Sequence, residues 1–321
     1  MKGLTDIEGI RVGHATDEQA MTGCTVILCD GGAVAGADIR GSASGTSEFS
    51  TLDPGHLAEH VHAVVLAGGS AFGLEAACGV RQYLARQGVG MRFRSAIVPI
   101  VPCAILFDLA IGRSDVWPTR EMGEAAAAAA TSDTVAEGSV GAGTGATVGK
   151  MLGIGQAMKG GIGSATVTLG GPASGIRIAS LAAVNAFGDV ISPNPGRILA
   201  GARKSEESLE FADTAREMLG GLVPYASQSN TTLVVVATNA RLSKVQAQKL
   251  AQLAQIGVAR TIRPVHTMYD GDVVIALSTG NHAADINSLG VAAAAAVEES
   301  ILRSVRLAKS RGAVPGLADP R

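Results

Sequence analysis

Residues 233–236 read Leu-Val-Val-Val, and short apolar runs of this kind recur along the 321-residue chain, separated by Ala-rich segments or Gly-rich turns. This alternation constrains the fold more than any other feature. β-Branched side chains are stiff at χ1 and suit a pleated surface, whereas Ala loses no side-chain entropy in a helix. Residues 25–29, 63–66, 97–101, 165–169, 176–184, 189–191, 231–238 and 273–277 read as strands. Residues 74–87, 122–130, 205–219, 243–256 and 286–308 read as helices, with Ser243 an N-cap. The gaps at 170–175 and 187–188 are too short for helical crossovers, so antiparallel neighbours are expected there. The class is α/β, in the layered α+β sense of two sheets covered by helices. The polar, Pro-containing stretch 192–230 reads as an excursion, and 312–321 as a frayed tail.

Aromatics make up only 3% of residues while Gly numbers 42, so the core must be small aliphatic side chains with backbones packed closely. With 26 basic and 28 acidic residues the chain lacks the basic footprint of a nucleic-acid binder, and its few aromatics leave little on which to stack bases. The most apolar stretch, 96–109, is interrupted by Pro102 and too short to span a bilayer, so no membrane partner is expected. The first eighteen residues lack a signal peptide's apolar run. Cys24, Cys29, Cys78 and Cys103 show no CxxC spacing. Reduced thiols in a cytoplasmic protein are the expectation.

Three motifs invite other readings. Gly141-Ala142-Gly143-Thr144-Gly145-Ala146 fits a loose dinucleotide fingerprint, but 136–139 is no buried strand. Gly149-Lys150 resembles the end of a phosphate loop, with Met151 where Ser or Thr belongs. His56 and His60 stand four apart without a third ligand nearby, so they read as surface or capping residues and no metal is expected.

Chemistry concentrates where the excursion meets the apolar strand. Thr231 follows Asn230 at that strand's start. If the chain were cut between them, Thr231 would gain an α-amine of ordinary pKa about 7.7–8.0, able to serve as base for its own hydroxyl. Downstream, Asp270-Gly271-Asp272 stands directly before the strand at 273. Two carboxylates there are either a solvated turn or a pair that orients a nucleophile.

Together with four further segments, these residues form an ordered set: Ala37-Asp38-Ile39-Arg40-Gly41, Leu66 through the Gly-Gly-Ser-Ala-Phe-Gly run to Leu74, Lys159-Gly160-Gly161-Ile162-Gly163-Ser164-Ala165, and Ala183-Val184-Asn185-Ala186, followed by Asn230-Thr231-Thr232 and Pro264 to Asp272. Over nearly its whole length the chain resembles the L-aminopeptidase/D-esterase family of self-processing N-terminal-nucleophile-like hydrolases, with β-peptidyl aminopeptidases and nylon-oligomer hydrolases among its members. The resemblance implies one αββα sandwich domain over 1–321, cut between Asn230 and Thr231 into an α-chain 1–230 and a β-chain 231–321. It implies Thr231 as nucleophile, Asp270 and Asp272 as the acidic pair of the nylon-hydrolase branch, Lys159 as the lysine of the Lys-Gly-Gly motif, and Asn185 as oxyanion support. Lys150, outside that motif, is the competing lysine. The implied activity is cofactor-free hydrolysis of amide bonds in small peptides or oligoamides, by a cytoplasmic homo-oligomer of αβ units. The chain departs from some relatives in carrying Phe107-Asp108 where they have Tyr near a strand end, and 149–158 is longer than usual. Two alternatives stay open: acyl transfer of the ornithine acetyltransferase type, and an uncleaved, non-catalytic binding protein.

Overall fold

The computed structural model describes residues 1–193, 196–223 and 230–319. Nine strands form one continuous hydrogen-bonded sheet: β1 (Ile10–Asp17), β2 (Thr22–Ile39), β3 (Gly45–Ser47), β4 (His60–Ala67), β5 (Cys103–Ile105), β6 (Ile162–Thr168), β7 (Arg177–Asn185), β8 (Thr231–Ala240) and β9 (Val273–His282). The order is β6-β7-β8-β9-β2-β4-β5-β3, with β1 against the first half of β2. The 18-residue β2 explains the continuity. Its first half pairs with β1 and its last six residues with β9, and between them Gly31 and Gly32 take left-handed φ values of 78° and 84° where the register against β4 shifts. Only Gly accepts two such residues in succession without strain.

Side-chain alternation then sorts the molecule into layers. Val234 and Val236 of β8 pack outward on α4 (Lys244–Thr261) and α5 (Ile286–Arg306), against Leu250, Val258 and Val297. Leu233 and Val235 face inward, meeting Ile27, Val64 and Leu66 from the other half of the sheet. On that half's outer side, Val26 and Val65 pack on Ala76, Val80, Ala126 and Ala127 of α1 (Ala76–Arg86) and α2 (Arg120–Ala128). Helix, sheet, sheet, helix is the αββα sandwich. Helices seat on strand glycines: a Cβ on Gly13 would lie 2.0 Å from Ala126 O, and one on Gly163 2.0 Å from Ser300 O. This close approach is how a core almost without aromatics fills its volume. Ser243 caps α4 in a reciprocal capping box with Gln246.

Several boundaries differ from expectation, each for a physical reason. Residues 97–101 are not one strand. Ala96–Val98 pairs in a hairpin with Met91–Phe93, and the main-sheet strand is β5, after Pro99 and Pro102, which lack ladder donors. In place of a helix over 205–219 there is only α3 (Thr214–Leu219). The preceding turn wraps the Arg203 guanidinium, which takes the carbonyls of Glu206, Ser208 and Gly155. Asp189–Ile191 joins Ile198–Ala200 and Ile262–Arg263 in a separate small sheet and does not pair with β7. The C-terminal segment is docked: Val314 is buried, Lys159 N donates to Pro315 O at 2.9 Å and Ala318 N to Ala308 O at 3.0 Å. Parts of the 192–230 excursion, at 194–195 and 224–229, lie outside the described residues. Among the described residues no helix is long and apolar enough to cross a membrane.

Gly141–Gly143 is a single 3-10 turn without the helix a dinucleotide site needs. His56 Nδ1 caps its own turn by accepting from Ala58 N at 3.0 Å.

Candidate active site

β8 begins at Thr231, whose ladder partner is Asn185, the last residue of β7. On its other side β8 runs parallel to β9, and the 270–272 turn leads directly into β9. Sheet order alone therefore brings Thr231, Asn185, Asp270 and Asp272 to one end of the central layer. These four, with Asn230, Lys150 and Lys159, are all buried, none more than 7% exposed.

Asn230 is held through both its backbone N–H and its carbonyl. Asn230 N donates to Tyr269 O at 2.9 Å, and Gly271 N donates to Asn230 O at 2.6 Å. Thr231 Oγ1 donates to the same carbonyl at 2.5 Å. A Cβ on Gly271 would stand 2.7 Å from Ala43 O and 2.9 Å from Thr231 Oγ1, so residue 271 must lack a side chain.

Both carboxylates act as clasps. Asp272 Oδ1 accepts from Thr232 N at 2.7 Å, while Oδ2 accepts from His266 N at 3.2 Å and lies 2.9 Å from His266 Nδ1. Asp270 Oδ1 accepts from Phe187 N at 3.1 Å, and Oδ2 from Thr267 Oγ1 at 2.6 Å and Thr267 N at 3.2 Å. The 37–41 segment buttresses the turn through Arg40 N, which donates to Asp272 O at 3.0 Å. Burial raises the Asp270 carboxyl, and the charge of Asp272 raises it further; the Thr267 hydroxyl and the Phe187 N–H pull the other way.

The two lysines have different neighbours. Lys150 Nζ donates to Asn185 O at 2.9 Å and Oδ1 at 2.8 Å. Lys159 Nζ donates to Thr144 O at 2.8 Å and Ala146 O at 2.5 Å. Burial lowers both ammoniums to about 7, opposed by Asp270 for Lys150 and by Asp108 for Lys159. Lys150 is thus one side chain removed from Thr231, through Asn185, while Lys159 braces the 144–146 loop. The Lys-Gly-Gly motif drew attention to the second lysine. The first is brought in by Gly149, at φ 70°, and by Lys150 N, which donates to Phe187 O at 3.0 Å. Asn185 Oδ1 also accepts from Thr147 N at 3.0 Å, and Nδ2 donates one hydrogen to Phe107 O at 3.0 Å, its second having no partner among the described residues.

Two groups at the site carried no assigned role in the sequence: His266 and Asp108. Asp108 accepts from Gly69 N at 2.7 Å and Thr22 Oγ1 at 2.8 Å, and burial raises its carboxyl to about 6. It lines a narrow crevice with Phe107, Gly145, Thr147, Lys150 and Ile154. The larger cleft, about 720 Å³, is lined by Asp30, Asn239 and His282 among others, at the opposite end of β8 from Thr231. Among the described residues no cluster of three or more His, Cys, Asp or Glu is placed to hold a metal.

The chain matches the model of peptidase family S58 over residues 2–316. It is 40% identical over 319 residues to an uncharacterized aminopeptidase of Mycobacterium bovis, covering 95% of this chain and 89% of the relative. It is 31% identical over 277 residues to a 6-aminohexanoate-oligomer endohydrolase of Kocuria sp., covering 85% and 74%. Among solved structures it is similar to a Burkholderia sp. beta-aminopeptidase, with TM-score 0.73 and 24% identity over 98% of this chain and 90% of that one. The L-aminopeptidase D-Ala-esterase/amidase of Ochrobactrum anthropi, described as a variant of the Ntn hydrolase fold, gives TM-score 0.73 at 20% identity, covering 98% and 88%. With an αββα sandwich and the family match spanning nearly the whole chain, this protein belongs to peptidase family S58 and is an amide-bond hydrolase.

Proposed function

We propose that the chain cuts itself between Asn230 and Thr231, and that the freed Thr231 is the nucleophile for amide hydrolysis. One observation carries this reading: the Asn230 carbonyl lies 2.5 Å from Thr231 Oγ1 and is polarised by the Gly271 N–H at 2.6 Å. Oγ1 adds to the Asn230 carbonyl carbon, the C–N bond breaks, and the nitrogen takes the hydroxyl proton. Water then opens the ester, giving an Asn230 carboxylate and a free Thr231 α-amine. That amine is the base the intact chain lacks, because an amide nitrogen does not accept protons near neutrality.

In the mature enzyme Thr231 Oγ1 attacks the substrate carbonyl, its proton passes to the α-amine and on to the leaving amine, and water hydrolyses the acyl ester. The Gly271 N–H and the free hydrogen on Asn185 Nδ2 are the candidate oxyanion donors, each worth roughly 2.7–4 kcal/mol when aimed at the developing charge. Lys150, held on Asn185, lowers the pKa of the amine by like-charge repulsion and favours its neutral form, which can accept the hydroxyl proton. Lys159 supports the site by fixing the Thr144–Ala146 loop carbonyls. The substrate is a short peptide or oligoamide, a class supported by the beta-aminopeptidase and 6-aminohexanoate-oligomer relatives. The enzyme works in the cytoplasm, as its free cysteines support.

Incubating the processed protein with short β-peptides and with 6-aminohexanoate oligomers, then quenching in acid, tests the acyl-enzyme. An acyl mass increment on the 231–321 fragment supports the reading; product formation with every increment on the 1–230 fragment contradicts it.

A further inference from the structure

We propose that His266 is a positioning residue: it fixes the Asp272 carboxylate, and through it the peptide that carries the nucleophile. The proposal rests on Thr231 being that nucleophile. Asp272 Oδ2 takes both the backbone N–H of His266 and its Nδ1, at 3.2 and 2.9 Å, while Oδ1 holds Thr232 N at 2.7 Å. The chain of contacts runs from the imidazole to the carboxylate to the amide directly after Thr231. The arrangement is specific to the backbone that carries it. His266 has φ 55°, in the left-handed region that side-chain-bearing residues rarely occupy. That turn lets one residue present its N–H and its ring nitrogen to the same oxygen, and such outliers persist where surrounding contacts over-determine them.

The next residue repeats the pattern, since Thr267 presents its N–H and hydroxyl to Asp270 Oδ2. The 266–267 turn therefore clamps both carboxylates from one side. Their opposite oxygens hold Thr232 N and Phe187 N, which flank Thr231 on β8 and follow Asn185 on β7. The Asp272 side chain is 2% exposed, whereas that of His266 is 20% exposed, so the imidazole lies between the buried carboxylate and solvent. A hydrogen bond to a buried carboxylate removes its rotational freedom, and sub-ångström placement of the nucleophile is what productive attack requires.

The test compares His266→Gly with His266→Asn, alongside Thr231→Ala. Gly accepts the left-handed turn freely and removes the ring. Asn tolerates the same turn and places an amide nitrogen where Nδ1 stands. Self-cleavage is followed by denaturing electrophoresis from the precursor, and kcat and KM are measured on the processed protein with a 6-aminohexanoate oligomer. The expected result is at least tenfold slower self-cleavage and tenfold lower kcat in His266→Gly, with KM within twofold, and recovery to within threefold of wild type in His266→Asn. If His266→Gly does not fold, His266→Asp takes its place with the same expectation, because it sets a second carboxylate against Asp272 at the size of Asn. Wild-type rates in His266→Gly with an inert Thr231→Ala overturn this inference alone, and so does His266→Asn as slow as His266→Gly. Cleavage persisting in Thr231→Ala overturns the nucleophile assignment and this inference with it.

Discussion

The backbone N–H of Gly271 donates to the carbonyl of Asn230 at 2.6 Å, so the turn between the two buried aspartates reaches back to the peptide bond that precedes Thr231. The turn cannot do this with a side chain, because a Cβ at 271 meets Ala43 O at 2.7 Å and Thr231 Oγ1 at 2.9 Å. Gly271→Ala is therefore expected to displace the donor and slow self-cleavage by about 10²–10³, the range for losing one oxyanion contact. Densitometry of precursor against fragments over time measures it. Cleavage at the wild-type rate would remove Gly271 from the account.

Lys150 and Lys159 are both buried but differ in what they touch, which separates their substitution effects. Lys150→Met breaks the contact with Asn185 Oδ1 and is expected to lower kcat about a hundredfold. Lys159→Met leaves the Thr144 and Ala146 carbonyls without their donor and is expected to act mainly on stability, by about 1–3 kcal/mol. Steady-state rates with urea midpoints for both variants decide the assignment.

How far the sequence reveals this site depends on the kind of contact. The positions of Thr231, Asp270 and Asp272 at strand starts are legible because they abut apolar runs, while their roles come only from the ordered motif set; the layered architecture follows from the same runs alternating with Ala-rich helices. Lys150 is less legible than Lys159, since its role depends on the 149–150 backbone docking on Phe187 and Gly188, a contact 37–39 residues distant that leaves no local pattern. Asp108 reads as an ordinary strand-end acid until Gly69 N and Thr22 close on it. The absence of the expected helix over 205–213 has the same origin: the buried guanidinium of Arg203 takes the Glu206 and Ser208 carbonyls, a contact the local pattern does not reveal.

His14 supplies a pH test away from the site. Thr25 Oγ1 lies 2.9 Å from His14 Nδ1, Nε2 is buried without a partner among the described residues, and burial lowers the imidazole pKa from 6.5 to about 4. Because the folded value lies below the unfolded one, the unfolded chain takes up a proton between about 6.5 and 4 that the folded protein refuses. This group's contribution is therefore complete above pH 6.5 and lost as pH falls toward 4, by about 3 kcal/mol. His14→Asn does not titrate, so its urea midpoint should fall less than that of wild type between pH 7 and 4.5. Equal falls would contradict the assignment.

The two fragments should stay together after the cut. β8 pairs with β7 of the first fragment, and β9 pairs with β2 of the same fragment, so residues 231–321 are bonded into the sheet on both sides. Native size-exclusion chromatography of processed protein should give one particle containing both pieces, separating only in denaturant. Separation in plain buffer would contradict this sheet topology.

Self-cleavage at Thr231 is read from the intact mass of wild type and Thr231→Ala under denaturing conditions. Wild type, 32.3 kDa as a precursor, is expected to resolve into pieces of roughly 23 and 9 kDa, the smaller beginning at Thr231, while Thr231→Ala stays whole. Wild type that remains at full length after prolonged incubation, or a variant that cleaves at the same bond, would contradict it.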